Sequence, residues 1–155
     1  MQVLILIDKP RWSYETIAKA LIKYNSNPDL KISVLPIKKG EKKIKKEYRK
    51  YDKVLVMGFQ TYERIKFLPK KHTLIGIHSH HSWDKKKTTP EKDVKPPGKL
   101  IRFLNEFKAV NAVSYRLYKL FKKHGVENIH YTPNGADSKI FTKRDSGNKH
   151  FTVGY

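Results

Sequence analysis

The chain has 155 residues, 34 of them Lys or Arg against 14 Asp or Glu, for a formal charge of +20. That length suits one domain burying roughly 70% of its unfolded surface, so a packed core needs no metal or cross-link. With no cysteine, disulfide frameworks, zinc ribbons and thiol catalysis are excluded. The apolar run Val3 to Ile7 stops at Asp8, and no run approaches the ~20 residues that span a bilayer. The start lacks a basic segment leading into a long apolar stretch, so the expectation is a cytoplasmic protein without a secretory leader. Of the basic residues six are Arg and the other 28 are Lys. Arg reads bases and phosphates through its planar fork, whereas Lys is a flexible point charge. A Lys-dominated surface attracts any polyanion, nucleic acid or anionic lipid, through its field alone.

In chain order, Val3-Leu4-Ile5-Leu6-Ile7 predicts a strand buried on both faces. From Ser13 the apolar spacing changes to Tyr14, Ile17, Ala18, Leu21 and Ile22, a helical stripe with Ser13 as N-cap and Glu15 in the first turn. Lys31 to Ile37 predicts a second strand. Residues 38–50 are Lys-rich, and only Ile44 and Tyr48 can pack, so a solvated basic helix is expected there. Lys53 to Phe59 predicts a third strand, Thr61 to Phe67 a short helix, and Thr73 to Ile77 a fourth strand running into His78-Ser79-His80-His81-Ser82-Trp83-Asp84. Residues 85–97 hold three Pro and five Lys and predict a loop.

Beyond it, Gly98 to Phe107 predicts a helix with Leu100, Phe103, Leu104 and Phe107 on one stripe. Ala109 to Val113 predicts a fifth strand, and Ser114 caps a helix that ends at Gly125 as a C′ glycine. Asn128 to Tyr131 predicts a sixth strand, followed by the turn Thr132-Pro133-Asn134-Gly135. Residues 142–150 read as a linker, and Phe151 to Tyr155 as the opening of another strand. Continuous apolar strands alternating with helices predict an α/β fold. It is a Rossmann-like, doubly wound, mainly parallel sheet of about six strands with helices on both faces. Such sheets bind ligands beyond the carboxyl ends of their strands, here the loops beginning at Asp8, His78, Ser114 and Thr132.

The chemistry-bearing residues gather at that edge. The loop Asp8-Lys9-Pro10-Arg11-Trp12-Ser13 has no glycine, and neither G-x-G-x-x-G nor a P-loop occurs, which disfavours dinucleotide and NTP enzymes. Ser13 can cap its helix or sit where helix amides hold an anion. Trp12 can stack on a sugar ring or close the top of the core. The His78-Ser79-His80-His81 segment with Asp84 admits three readings: a metal site, a structural hydrogen-bonding role, or ligand contact. The extended spacing lacks the helix-borne H-x-x-x-H geometry of metal sites. Imidazole at a strand's carboxyl end suits contact with hydroxyls or phosphates. No G-x-S-x-G elbow and no convincing carboxylate pair are present.

The segment AVNAVSYRLYKLFKKHGVENIHYTPNGADSKIF resembles the end of the N-terminal domain of family 4 glycosyltransferases. Its matching positions are Ser114, Gly125, Pro133, Asn134, Gly135, Asp137 and Phe141. His78 and His81 are similar to that family's H-x-x-H loop. DKPRWSYETIAKAL looks like members with a Trp after the first strand. The resemblance implies residues 1–141 as the acceptor-side domain of a GT-B fold, 142–150 as linker and 151–155 as the start of a second domain. It implies a nucleotide-sugar donor, a metal-independent, anomer-retaining transfer, and no cofactor. His81, with His78 as alternate, would be catalytic. Trp12, Ser13 and Arg11, with His80, Asp84 and Ser114, would bind substrate, while Asn134 and Gly135 would shape the domain junction. The expected partners are a glycan or lipid-linked acceptor and an anionic membrane surface, reached through residues 38–50 and 85–95. A non-catalytic nucleic-acid-binding protein is the alternative, which would need an organised aromatic and Arg stripe.

Overall fold

The computed structural model describes residues 1–79 and 95–135. The linker expected at 142–150 and the strand opening at Phe151 lie outside the described residues, as does most of the Pro/Lys loop. Among the described residues six strands form one sheet: β1 (Gln2–Ile7), β2 (Lys31–Pro36), β3 (Lys53–Val56), β4 (Thr73–Ile77), β5 (Ala109–Ala112) and β6 (Ile129–Tyr131). Five helices connect them: α1 (Ser13–Lys23), α2 (Glu41–Glu47), α3 (Phe59–Tyr62), α4 (Gly98–Asn105) and α5 (Tyr115–Lys123). The strand order is β2-β1-β3-β4-β5-β6, and every pair is parallel. The winding reverses between β1 and β3, the switch point at which such sheets open a crevice.

β1 lies between β2 and β3, which explains its unbroken apolar run. Leu4 and Leu6 enter one core with Val54, Val56, Ile75, Ile77, Val110 and Ala112, while Ile5 and Ile7 enter the other with Met57. The first core takes Ile44 of α2, Tyr62 of α3, Leu104 of α4, and Leu117 and Phe121 of α5. The second takes Ala18 of α1, with Tyr14 and Ile17 packed against it. Helices therefore cover both faces, four on one and one on the other. Each fully buried Leu, Ile or Phe contributes about 1.5–3 kcal/mol, so these two clusters carry most of the driving force.

The helix ends show how local sequence sets the boundaries. Ser114 Oγ accepts from the Leu117 amide at 3.2 Å, as an N-cap should. At the other end of α5, Gly125 has φ 92, its amide bonds Lys122 O at 3.2 Å, and the Val126 amide bonds Phe121 O at 3.0 Å. That pair is a Schellman motif, and it needs a residue tolerant of positive φ. The ends of α4 and α5 are braced by Asn105, which donates to Gly125 O at 2.8 Å and accepts from the Glu127 amide at 3.1 Å.

Several boundaries differ from expectation by a residue or two, and three differ for an identifiable reason. Ser13 is not the cap of α1: Trp12 holds the cap position in extended conformation, and no side chain caps the helix there. Glu15 instead accepts from the Arg11 amide, and Arg11 takes φ 61 to present it. The basic segment is broken at Gly40, φ 92, into a 3-10 turn at Ile37–Lys39 anchored by Ile37, a seven-residue α2 in which only Ile44 is buried, and a second 3-10 turn at Tyr48–Lys50. The third strand stops at Val56, and the helix after it is the four-residue α3, shifted upstream of the expected span. Tyr62 Oη donates to Leu68 O at 2.6 Å, holding residues 63–68 as turns that still bury Ile65 and Leu68.

Candidate functional site

A cavity of about 360 Å³ opens at the carboxyl edge of the sheet, lined by Asp8, Trp12, Ser13, Tyr14, Ile17, His78, Val113 and Asn134. Four connections contribute: the turn after β1 with the start of α1, and the residues following β4, β5 and β6. This is the edge that the winding order marks for ligands. The size sits at the low end of small-molecule pockets, roughly 300–1,000 Å³.

Trp12 is 59% exposed, so it does not close the core, and Lys9 Nζ lies 5.0 Å from its ring centroid. The indole forms one wall, with a cation beside it. Asp8 sits at the end of β1, where its Oδ1 accepts from the Lys9 amide at 2.6 Å. Tyr14 meets the His78 ring edge-on, centroids 4.7 Å apart, and burial together with the Asp8 charge raises its phenol above the ordinary 10.0. Glu15 is held below its ordinary value first by the Arg11 amide and then by Lys19, whose Nζ is 3.2 Å from Oε1.

His78 is the centre of the site. Its position just past β4 turns the ring over the strand, where burial lowers its pKa from 6.5 and the neighbouring Met57 carbonyl partly offsets that shift. Gly76 makes the room, because a Cβ there would lie 2.8 Å from His78 Nε2. A neutral imidazole in a cavity with an indole, a phenol and an amide side chain can exchange hydrogen bonds with hydroxyl groups while the rings stack on an apolar face.

Of the candidates from sequence, Trp12, Ser13, His78 and Asn134 line one cavity. Arg11 and Gly135 are exposed neighbours of it, and Ser114 is spent as the α5 cap. His80, His81 and Asp84 lie outside the described residues. Two residues escaped the sequence reading. In sequence Tyr14 reads as one more member of the helix stripe, and Asn111 as an interior residue of the fifth strand. The available signal for Asn111 was a polar side chain amid Ala-Val-Asn-Ala-Val. Among the described residues no three His, Cys, Asp or Glu gather as a metal site, and no helix is long and apolar enough to cross a membrane.

A second, smaller cavity of about 270 Å³ lies at the amino end of β3, lined in part by Tyr48, Arg49, Lys53 and His72. Elsewhere, Tyr115, Tyr118 and Tyr131 group on the surface, with centroids 5.6–6.4 Å apart, and Lys119 Nζ lies 4.9 Å from the Tyr115 ring. Compared with known proteins, the chain matches no family model, no curated protein and no solved structure.

Proposed function

We propose that the chain is the acceptor-side half of an anomer-retaining glycosyltransferase, which moves a sugar from a nucleotide-sugar to a glycan or lipid-linked acceptor. The observation that carries the reading is the convergence of Trp12, Ser13, His78 and Asn134 on one cavity at the switch-point edge. These residues come from three separate stretches of sequence that share the glycosyltransferase resemblance. Trp12 stacks on the acceptor sugar. His78, with His81 beside it in sequence, bonds sugar hydroxyls at the reacting centre. The acceptor oxygen attacks the anomeric carbon, the nucleotide phosphate departs, and the hydroxyl proton passes to it. No pair of Glu in E-x7-E spacing occurs in the sequence, so residues 1–155 bind sugar without transferring it.

Titration of residues 1–155 with oligosaccharides, read by isothermal calorimetry, tests the proposal. Saturable binding weakened at least tenfold by Trp12→Ala or His78→Gln is expected. Robust sugar transfer by the chain alone, or no sugar binding, refutes it. Cytoplasmic membrane association belongs to the same proposal and rests on α2, whose Lys42, Lys43 and Lys46 are exposed while Lys45 pairs with Glu41.

One observation favours a second reading, a single-stranded nucleic-acid binder. The Tyr115–Tyr118–Tyr131 group beside Lys119 is an organised aromatic and basic surface of the kind on which bases stack. Salt-sensitive binding of an oligonucleotide that Tyr115→Ala and Tyr131→Ala abolish, with no sugar binding, would select it.

A further inference from the structure

β4 and β5 pair with Gly76 opposite Asn111. The space a side chain on Gly76 would fill is surrounded by polar atoms. Its Cβ position lies 2.4 Å from the Met57 carbonyl oxygen, 2.8 Å from His78 Nε2 and 3.1 Å from Asn111 Oδ1. His78 Nε2 and Asn111 Oδ1 are both buried and make no hydrogen bond among the described residues. Buried polar atoms are rarely left so, and two of them meeting at a glycine is an arrangement with a chemical direction.

That direction follows from the donor and acceptor inventory. The Met57 carbonyl can only accept. The Asn111 amide presents its oxygen to the same space. A neutral imidazole carries one N–H and one lone pair, on different nitrogens. A lone pair on Nε2 would face two further oxygen lone pairs in a buried setting, whereas an N–H there faces acceptors.

We infer that Asn111 is a positioning residue: its amide oxygen and the Met57 carbonyl give the space beside Gly76 an acceptor-only lining that favours the Nε2–H tautomer of His78, leaving Nδ1 as an acceptor for a ligand hydroxyl. Neutral His78 then has no proton to offer a phosphate oxygen, so the group bound at Nδ1 is a donor, a hydroxyl of a sugar. The identity of that hydroxyl rests on the sugar-binding reading of the cavity; the tautomer does not.

The groups around the ring are few. Among the described residues, Tyr14 of α1 meets its edge, Asp8 just after β1 shares the cavity, the residue after β3 contributes the uncharged Met57 carbonyl, and β5 contributes the neutral Asn111. A carboxylate at 111 would therefore be the nearest new charge to Nε2 from the strand side.

The test is nitrogen-detected NMR of the seven histidines across a pH titration, with His78→Gln assigning the resonance. Wild type is expected to show protonated Nε2 and bare Nδ1 at neutral pH. Asn111→Asp keeps that tautomer and raises the His78 pKa by about one unit or more. Asn111→Leu, which keeps the volume and removes the acceptor, brings in the Nδ1–H form. An Nδ1–H tautomer in wild type overturns the inference, as does an Asn111→Asp titration superimposable on wild type. Should Asn111→Asp not fold, the wild-type tautomer and Asn111→Leu decide it. A titration of wild type with an oligosaccharide and, separately, inorganic phosphate separates the two levels. Movement of Nδ1 with sugar and not phosphate supports both. The Nε2–H tautomer without any sugar response leaves the positioning role standing and removes the sugar. A response to phosphate as if to a donor overturns the ligand assignment.

Discussion

Replacing Gly76 by Ala tests whether the His78 ring and the Met57 carbonyl really share the space over β4. The new methyl would stand 2.4 Å from a backbone oxygen and 2.8 Å from Nε2. A side-chain tip could swing away, but the Met57 carbonyl belongs to the backbone just beyond β3, whose Val56 pairs with Ile75. Normal carbon–oxygen contact requires a shift of somewhat under 1 Å in one of two paired segments. Overpacking of this kind costs about 1–3 kcal/mol, and a backbone clash belongs near the upper end. For a chain of this length each kcal/mol lowers Tm by about 3 °C, so a drop of about 6–9 °C is expected. Thermal and urea unfolding followed by circular dichroism measures it. Gly125→Ala is the control: no atom lies within 4 Å of its Cβ, so only the φ of 92° resists, at a cost of about 1 kcal/mol. If Gly76→Ala is as stable as wild type, or no worse than Gly125→Ala, the space is not occupied as described.

Other outcomes follow from the same structure. Ser114→Ala removes the acceptor for the Leu117 amide and should cost about 1 kcal/mol in urea unfolding, with the fold retained. Because burial keeps the folded His78 pKa below 6.5, the unfolded chain binds more protons between the two values. Its contribution to stability is thus complete above about pH 6.5 and lost as pH falls through the folded pKa, and His78→Gln should flatten that slope. Vesicles rich in phosphatidylserine should bind the protein at low salt and release it at high salt. Neutralising Lys42, Lys43 and Lys46 should weaken that binding about a hundredfold, at ~1 kcal/mol per residue. Salt-indifferent binding would remove the membrane hypothesis.

Much of the fold was legible because its signals are local. The five-residue apolar run of β1, the Ser114 cap and the Gly125 terminator each state their role within a few residues, and each is found in place. The strand order itself, β2-β1-β3-β4-β5-β6, is set by pairings between distant segments that no local signal announces. The N-terminus of α1 was misread for a physical reason: Trp12, Ser13 and Glu15 offer competing ways to finish one helix end. The competition was settled by Arg11 accepting a positive φ, which local pattern does not announce. Tyr14 looked like an ordinary member of a helix stripe, since the stripe and the cavity lie on the same side of α1. Asn111 could not be read at all without the register, because its meaning comes from Gly76 on the next strand. The cavity was thus legible as an edge and a set of loops, while the partners of His78 were not.

The order β2-β1-β3-β4-β5-β6 also has a consequence for synthesis. The first strand to be made becomes an inner one, flanked on one side by the second and on the other by the third. By residue 56 a three-stranded unit exists, with α1 against one face and Ile44 of α2 against the other. Each later strand then needs only the edge left by its predecessor, so the sheet grows in one direction as the chain lengthens. On that side the unpaired edge moves outward with it and, among the described residues, lies on β6, only three residues long. Each added strand thus hides the previous growing edge, while the six-residue β2 stays an edge throughout and ends at Pro36, which has no amide proton to offer a neighbouring chain.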